Sequence, residues 1–111
     1  MPARILNLSA YAFVALDRLA ERRDALHRCG LDNALKGTVL LAAEGINLFV
    51  AGAEPGVRAW LAQLRQDPLL AALDAKESWS DRLPFRHLRV KVKREIIRMD
   101  QPQLRPAAGR A

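Results

Sequence analysis

An α+β sandwich, with one antiparallel sheet of four strands carrying two helices on one face, is the architecture this sequence predicts. Two observations carry that expectation. The stretch from Lys36 to Gly52, KGTVLLAAEGINLFVAG, holds two apolar runs, Thr38–Ala43 and Ile46–Ala51, on either side of Glu44-Gly45, and a two-residue link with a glycine is what a tight β-hairpin needs. On each side of this hairpin lies one segment with apolar residues at helical spacing, and beyond each helix comes a segment with two-residue alternation. The order β-α-β-β-α-β is the ferredoxin-like split βαβ arrangement, in which the first and third strands are central.

The first strand is read over Arg4–Val14, with Leu6, Leu8, Ala10 and Ala12 on one side and Asn7, Ser9, Tyr11 and Phe13 on the other. The wholly apolar set suits a face covered by helices and the mixed set an open face. Asp17 precedes RLAERRDALHRCG and is placed to cap the first helix, with Gly30 as its left-handed stop. Leu19, Leu26 and Cys29 form its narrow apolar stripe, with Ala25 beside it. In the hairpin, Gly45 is expected at the turn because it takes positive φ without steric cost. Ile46, Leu48 and Val50 are assigned to the core and Phe49 to the open face. Pro55 suits the first turn of the second helix, where Val57, Trp60, Leu61 and Leu64 make a core-facing stripe that ends at Asp67-Pro68. Leu69–Leu73 is read as one more helical turn and Lys76–Ser80 as a short extended piece before the Leu83-Pro84-Phe85 turn. The last strand is read over Phe85–Val92, with Leu88, Val90 and Val92 inward and His87, Arg89, Lys91 and Lys93 outward. After Met99 the chain has two prolines, a glycine and no periodicity, so residues 1–98 are expected to form the domain and 99–111 a flexible linker.

With 111 residues, half of them hydrophobic, the chain has enough material for one core. Apolar residues never run to membrane-spanning length and no cleavage site follows an apolar N-terminal run, so a cytoplasmic protein with no membrane partner is expected. The lone Cys29 has no partner for a disulfide and no second cysteine for metal-type spacing. The net charge of +6 is concentrated from Arg82 to Arg98, where seven basic residues face one acid, while the remainder of the chain is neutral. Such a segment attracts phosphate backbones or acidic partners, or else solubilises an edge strand.

Tyr11, Phe13 and Phe49 on central strands beside a cationic strand carrying His87, Arg89, Lys91 and Lys93 is how a four-stranded sheet stacks unpaired bases while holding their phosphates. RNP-type motifs are absent, so the parallel is physical. These seven residues are the nucleic-acid-binding candidates. Glu44 and Asn47, beside the hairpin glycine, are polar site candidates that a solvated turn explains equally well. No Ser/His/Asp set, no cysteine beside a base, no metal cluster and no phosphate loop is visible in the sequence, so neither catalytic residues nor a cofactor are expected in this domain.

Several motifs together are distinctive: AYAFVALD at Ala10–Asp17, LKGTVLLAAEGIN at Leu35–Asn47, VAG at Val50–Gly52, DP at Asp67-Pro68, KES at Lys76–Ser78 and PFRHLRVKVKREII at Pro84–Ile97. By these the chain closely resembles the N-terminal domain of the bacterial rhodanese-domain-containing tRNA uridine(34) hydroxylase family. Leu48-Phe49 stands where many members have Gly-Thr after EGIN. The resemblance implies oxygen-dependent 5-hydroxylation of the wobble uridine of tRNA, with the active cysteine in a rhodanese domain that follows. The expected role is then accessory, binding or positioning tRNA near its anticodon, without catalysis by this domain alone. Two alternatives stand beside it: a docking module that packs its open face on the rhodanese domain without touching RNA, and a free-standing sulfurtransferase using Cys29.

Overall fold

A computed structural model describes residues 4–94. The elements are β1 (Ile5–Phe13), α1 (Leu19–Asp32), β2 (Lys36–Ala42), β3 (Gly45–Ala53), α2 (Glu54–Arg65), β4 (Ala75–Ser80) and β5 (Leu88–Val92). Among the described residues the sheet is five-stranded, in the order β4-β1-β3-β2-β5. Neighbours from β4 to β2 pair antiparallel, and β5 runs parallel to β2. The four-stranded antiparallel expectation is therefore corrected. The place beside β1 belongs to AKESWS, read from sequence as a mere extended piece, and the basic strand sits at the opposite edge.

The correction has a physical cause. β4 is an edge strand with little burial, so main-chain bonding to β1 specifies it more than apolar alternation does. Its helix-side residues are Glu77 and Trp79, opposite Leu8 and Leu6. Glu77 receives two guanidinium bonds from Arg58 of α2, at 3.0 and 3.2 Å, and the Arg4 guanidinium lies 5.2 Å from the Trp79 ring centroid. Neither partner is visible from the periodicity of a six-residue segment.

The core lies between sheet and helices. Leu6 and Leu8 of β1, Ile46, Leu48 and Val50 of β3, and Val57, Trp60, Leu61 and Leu64 of α2 are buried, as the alternation and the helical stripe predict. Trp60 also donates its indole N–H to the Leu26 carbonyl at 3.0 Å, which joins the two helices. Residues 69–73 make turns rather than a helical turn, with three-residue bonds from Leu70 N–H to Asp67 and from Leu73 N–H to Leu70.

Both expected termini of α1 are corrected. Arg18, in the left-handed region at φ 46°, occupies the N-cap position, and no side chain among the described residues caps the helix there. Asp17 instead belongs to a clamp: its carbonyl accepts Arg22 Nε at 2.7 Å and its carboxylate Arg22 Nη2 at 3.1 Å, while Arg22 Nη1 reaches Asp67 beyond α2. At the other end the helix continues through Gly30 to Asp32, and the left-handed stop is Ala34 at φ 57°. Leu35 N–H bonds to the Gly30 carbonyl at 2.9 Å and Ala34 N–H to Leu31 at 3.1 Å, which is the Schellman pattern with alanine where glycine is usual. Gly30 serves packing: a Cβ there would run into the Leu88 side chain of β5.

The hairpin turn is Ala43-Glu44, because Ala42 pairs with Gly45. Gly45 is not at positive φ. It is required by close approach, since a Cβ on it would overlap the Ala12 carbonyl. The expected linker and the end of the expected domain, residues 95–111, lie outside the described residues.

Candidate nucleic-acid interface

Strand register decides which side chains share the open face. Leu6, Leu8 and Ala10 point into the core, so Asn7, Ser9, Tyr11 and Phe13 occupy the other side of β1. Across the sheet, Ser9, Phe49, Thr38 and Arg89 form one row, and Tyr11, Asn47, Leu40 and Lys91 form the next. The sequence-predicted aromatics and cations thus do share a face. They are not adjacent, however. At about 4.8 Å per strand, Arg89 stands about 10 Å from Phe49 with β2 between, and Lys91 about 14 Å from Tyr11 with β3 and β2 between.

The face is also partly covered. The connection 81–87 must travel from one edge of the sheet to the other, and its Phe85 rests edge-on against Phe49, ring centroids 5.1 Å apart. Its start is tied down by Ser80 Oγ, which donates to the Arg82 carbonyl at 2.8 Å and accepts Asn7 Nδ2 at 3.0 Å. Asn7 and Ala51 lie on the open face by register yet are buried. Asn7 Oδ1 has no hydrogen-bond donor among the described residues. Phe85, read from sequence as the start of a strand, is therefore a member of this surface that alternation alone does not reveal. Tyr11 and Phe13 meet edge-on at 5.2 Å, and Phe13 is 68% exposed.

The four predicted cations stay in phase. Arg89 and Lys91 are in β5, and His87 and Lys93 flank it. Pairing with β2 extends to both, since the Gly37 N–H donates to the His87 carbonyl at 2.8 Å and the Lys93 N–H to the Leu41 carbonyl at 2.7 Å. All four side chains are exposed. Among the described residues no carboxylate pairs with Arg86, Arg89, Lys91, Lys93 or Arg94, whereas of the helix arginines Arg23 holds one and Arg22 and Arg58 two each.

Glu44 is exposed at the hairpin tip, where its carbonyl accepts the Val14 N–H at 3.0 Å, and Asn47 is buried in β3. The loop after β1 spends its amides on the hairpin, with Leu16 N–H bonded to Ala43 at 2.9 Å. Cys29 is partly buried, and desolvation pushes its thiol above the ordinary range, the reverse of nucleophile activation. Among the described residues no three His, Cys, Asp or Glu side chains group to hold a metal, and no helix is long and apolar enough to cross a membrane.

Comparison with known proteins places this architecture. Residues 5–96 match the family described as the UPF0176 acylphosphatase-like domain. A tRNA uridine(34) hydroxylase of Delftia acidovorans is 56% identical over 107 residues, covering 96% of this chain and 41% of the relative. One of Bordetella petrii is 56% identical over 112 residues, covering the whole chain and 44% of the relative. The chain thus spans about two fifths of the length of these curated relatives. Among solved structures, an acylphosphatase from Coxiella burnetii superposes with a TM-score of 0.57 at 13% identity, over 80% of this chain and 94% of that one. The BLUF protein BlrB gives 0.59 at 15% identity, over 83% and 75%. At such identities the likeness is one of fold.

Proposed function

Because the chain belongs to the UPF0176 acylphosphatase-like domain family, we propose that it is the accessory tRNA-binding domain of a wobble-uridine 5-hydroxylase that works in the cytoplasm. It positions the anticodon region and does not catalyse the reaction alone; the oxygen-dependent chemistry belongs to a rhodanese domain, and this domain needs no cofactor. The observation that carries the reading is the row of exposed cations on β5 and its flanks, with no carboxylate partner among the described residues, on the same face as Phe49 and Tyr11. Cations repeating at about 7 Å hold successive phosphates, and the aromatic rings offer stacking area. Phe85 joins Phe49 in that area.

A second reading is supported by the exposure of Phe13, 68%: the same face docks on the rhodanese domain without RNA contact. Salt separates the two. The 111-residue chain is titrated with an anticodon stem-loop RNA at rising ionic strength, beside the variant Arg89→Gln/Lys91→Gln/Lys93→Gln. Each lost phosphate contact should flatten the log–log salt slope by about 0.7. Superimposed curves would leave a solubilising edge, and the docking reading would lead.

A further inference from the structure

Among the described residues β5 is an outer strand of the sheet. Its backbone at His87 and Lys93 is bonded toward β2, so by alternation the N–H and C=O groups of Leu88, Val90 and Val92 turn outward. Helix α1 packs beside this edge, and between them runs a groove lined by Arg23 and His27 from the helix and by Leu88, Arg89, Val90 and Lys91 from the strand. Asp24 is the groove's carboxylate, and Arg23 already engages it through Nε at 3.1 Å. The edge therefore carries basic groups on both flanks, from the helix and from the strand.

A ligand suited to such a strip is extended and carries negative charge at a repeat close to the spacing of alternate strand residues, about 7 Å. Outward amides add donors of the kind that commonly meet phosphate oxygens. We infer that a single RNA strand runs along the β5 edge with its phosphodiester backbone in the α1–β5 groove, between Arg23 and His27 on one flank and Arg89 and Lys91 on the other. The inference rests on the RNA-binding reading above and deepens it. The phosphates leave the centre of the open face to the bases, which reach Phe49 across Thr38 of β2. Arg23 and His27 are then RNA-positioning residues, although their place in a helix of mixed charge gives no hint of it in the sequence.

The test compares three forms of the 111-residue chain against an anticodon stem-loop RNA across a salt series: wild type, Arg23→Gln/His27→Gln, and Arg89→Gln/Lys91→Gln. The helix variant is expected to bind roughly threefold to tenfold more weakly at low salt, with a salt slope flatter by about 0.7 or more. Wild-type binding by the helix variant, with weakened binding by the strand variant, overturns the groove inference and leaves the RNA-binding reading standing. Wild-type behaviour by both overturns the two together. A poly-glutamate peptide is titrated in parallel against wild type and Val92→Pro, which deletes an outward N–H. Peptide binding that is lost in Val92→Pro, in a chain that does not bind RNA, assigns the groove to an added acidic strand and overturns the inference.

Discussion

Phe85, in the connection between β4 and β5, meets Phe49 of the middle strand at 5.1 Å between ring centroids and 72° between planes. Edge-to-face pairs of this kind contribute about 0.5–1.5 kcal/mol beyond their buried area. A double-mutant cycle with Phe49→Ala and Phe85→Ala, read by denaturant unfolding, should return a coupling in that range. Zero coupling would mean that the connection does not lie on the open face in solution.

The two tryptophans should respond unequally. Trp60 is fully buried and bonded to Leu26, so Trp60→Ala should cost about 3–5 kcal/mol. Trp79 is 39% exposed and faces Arg4, and its replacement should cost well under half as much, since an exposed cation–π contact contributes about 0.5–1 kcal/mol. Thermal melts of the two variants decide it, and equal shifts would contradict this burial.

Replacing Ala34 by glycine should stabilise the chain. At φ 57° a side chain carries a steric cost of about 1–2 kcal/mol, part of which the greater freedom of glycine in the unfolded chain cancels. A net gain of about 0.5–1 kcal/mol in urea unfolding is expected. A loss would show that the alanine methyl packs favourably.

Acid should weaken the tie between α2 and β4. Hydrogen bonds from Arg58 hold the Glu77 carboxyl below its ordinary value of 4.5. A group whose folded pKa is depressed contributes stability above its unfolded pKa and loses it as pH falls through the folded one. Stability against pH should therefore decline below about pH 4.5, and Glu77→Gln should shallow that decline. Identical acid limbs for wild type and variant would show the pair to be fully screened at the exposed surface.

What was legible in the sequence follows from how each element is specified. Trp60 and its neighbours repeat at helical spacing over several turns, and Ile46, Leu48 and Val50 alternate through a buried strand, so burial writes itself into the pattern. β4 is specified by main-chain pairing and by an ion pair to a residue nineteen positions away, and neither leaves a periodic trace. The order of strands escapes the sequence for the same reason, because alternation identifies β5 as a strand without naming its neighbour. The aromatics and cations of the site were legible as surface residues of one parity. Their separation by β2 and the cover of Phe85 were not, since both depend on the path of the chain from β4 to β5.

The parallel pairing of β5 has a kinetic consequence. β5 joins β2 from far along the chain, after a connection that crosses the sheet, and contacts so distant in sequence form late because their loop-closure entropy is offset only on docking. The strand and its connection should also detach before the four antiparallel strands separate, as one sub-global opening unit. The cationic track rides on that unit. A bound polyanion would then slow amide exchange along β5 and at Gly37 while leaving β1 and β3 unchanged, so recognition would be completed by the last part of the chain to fold.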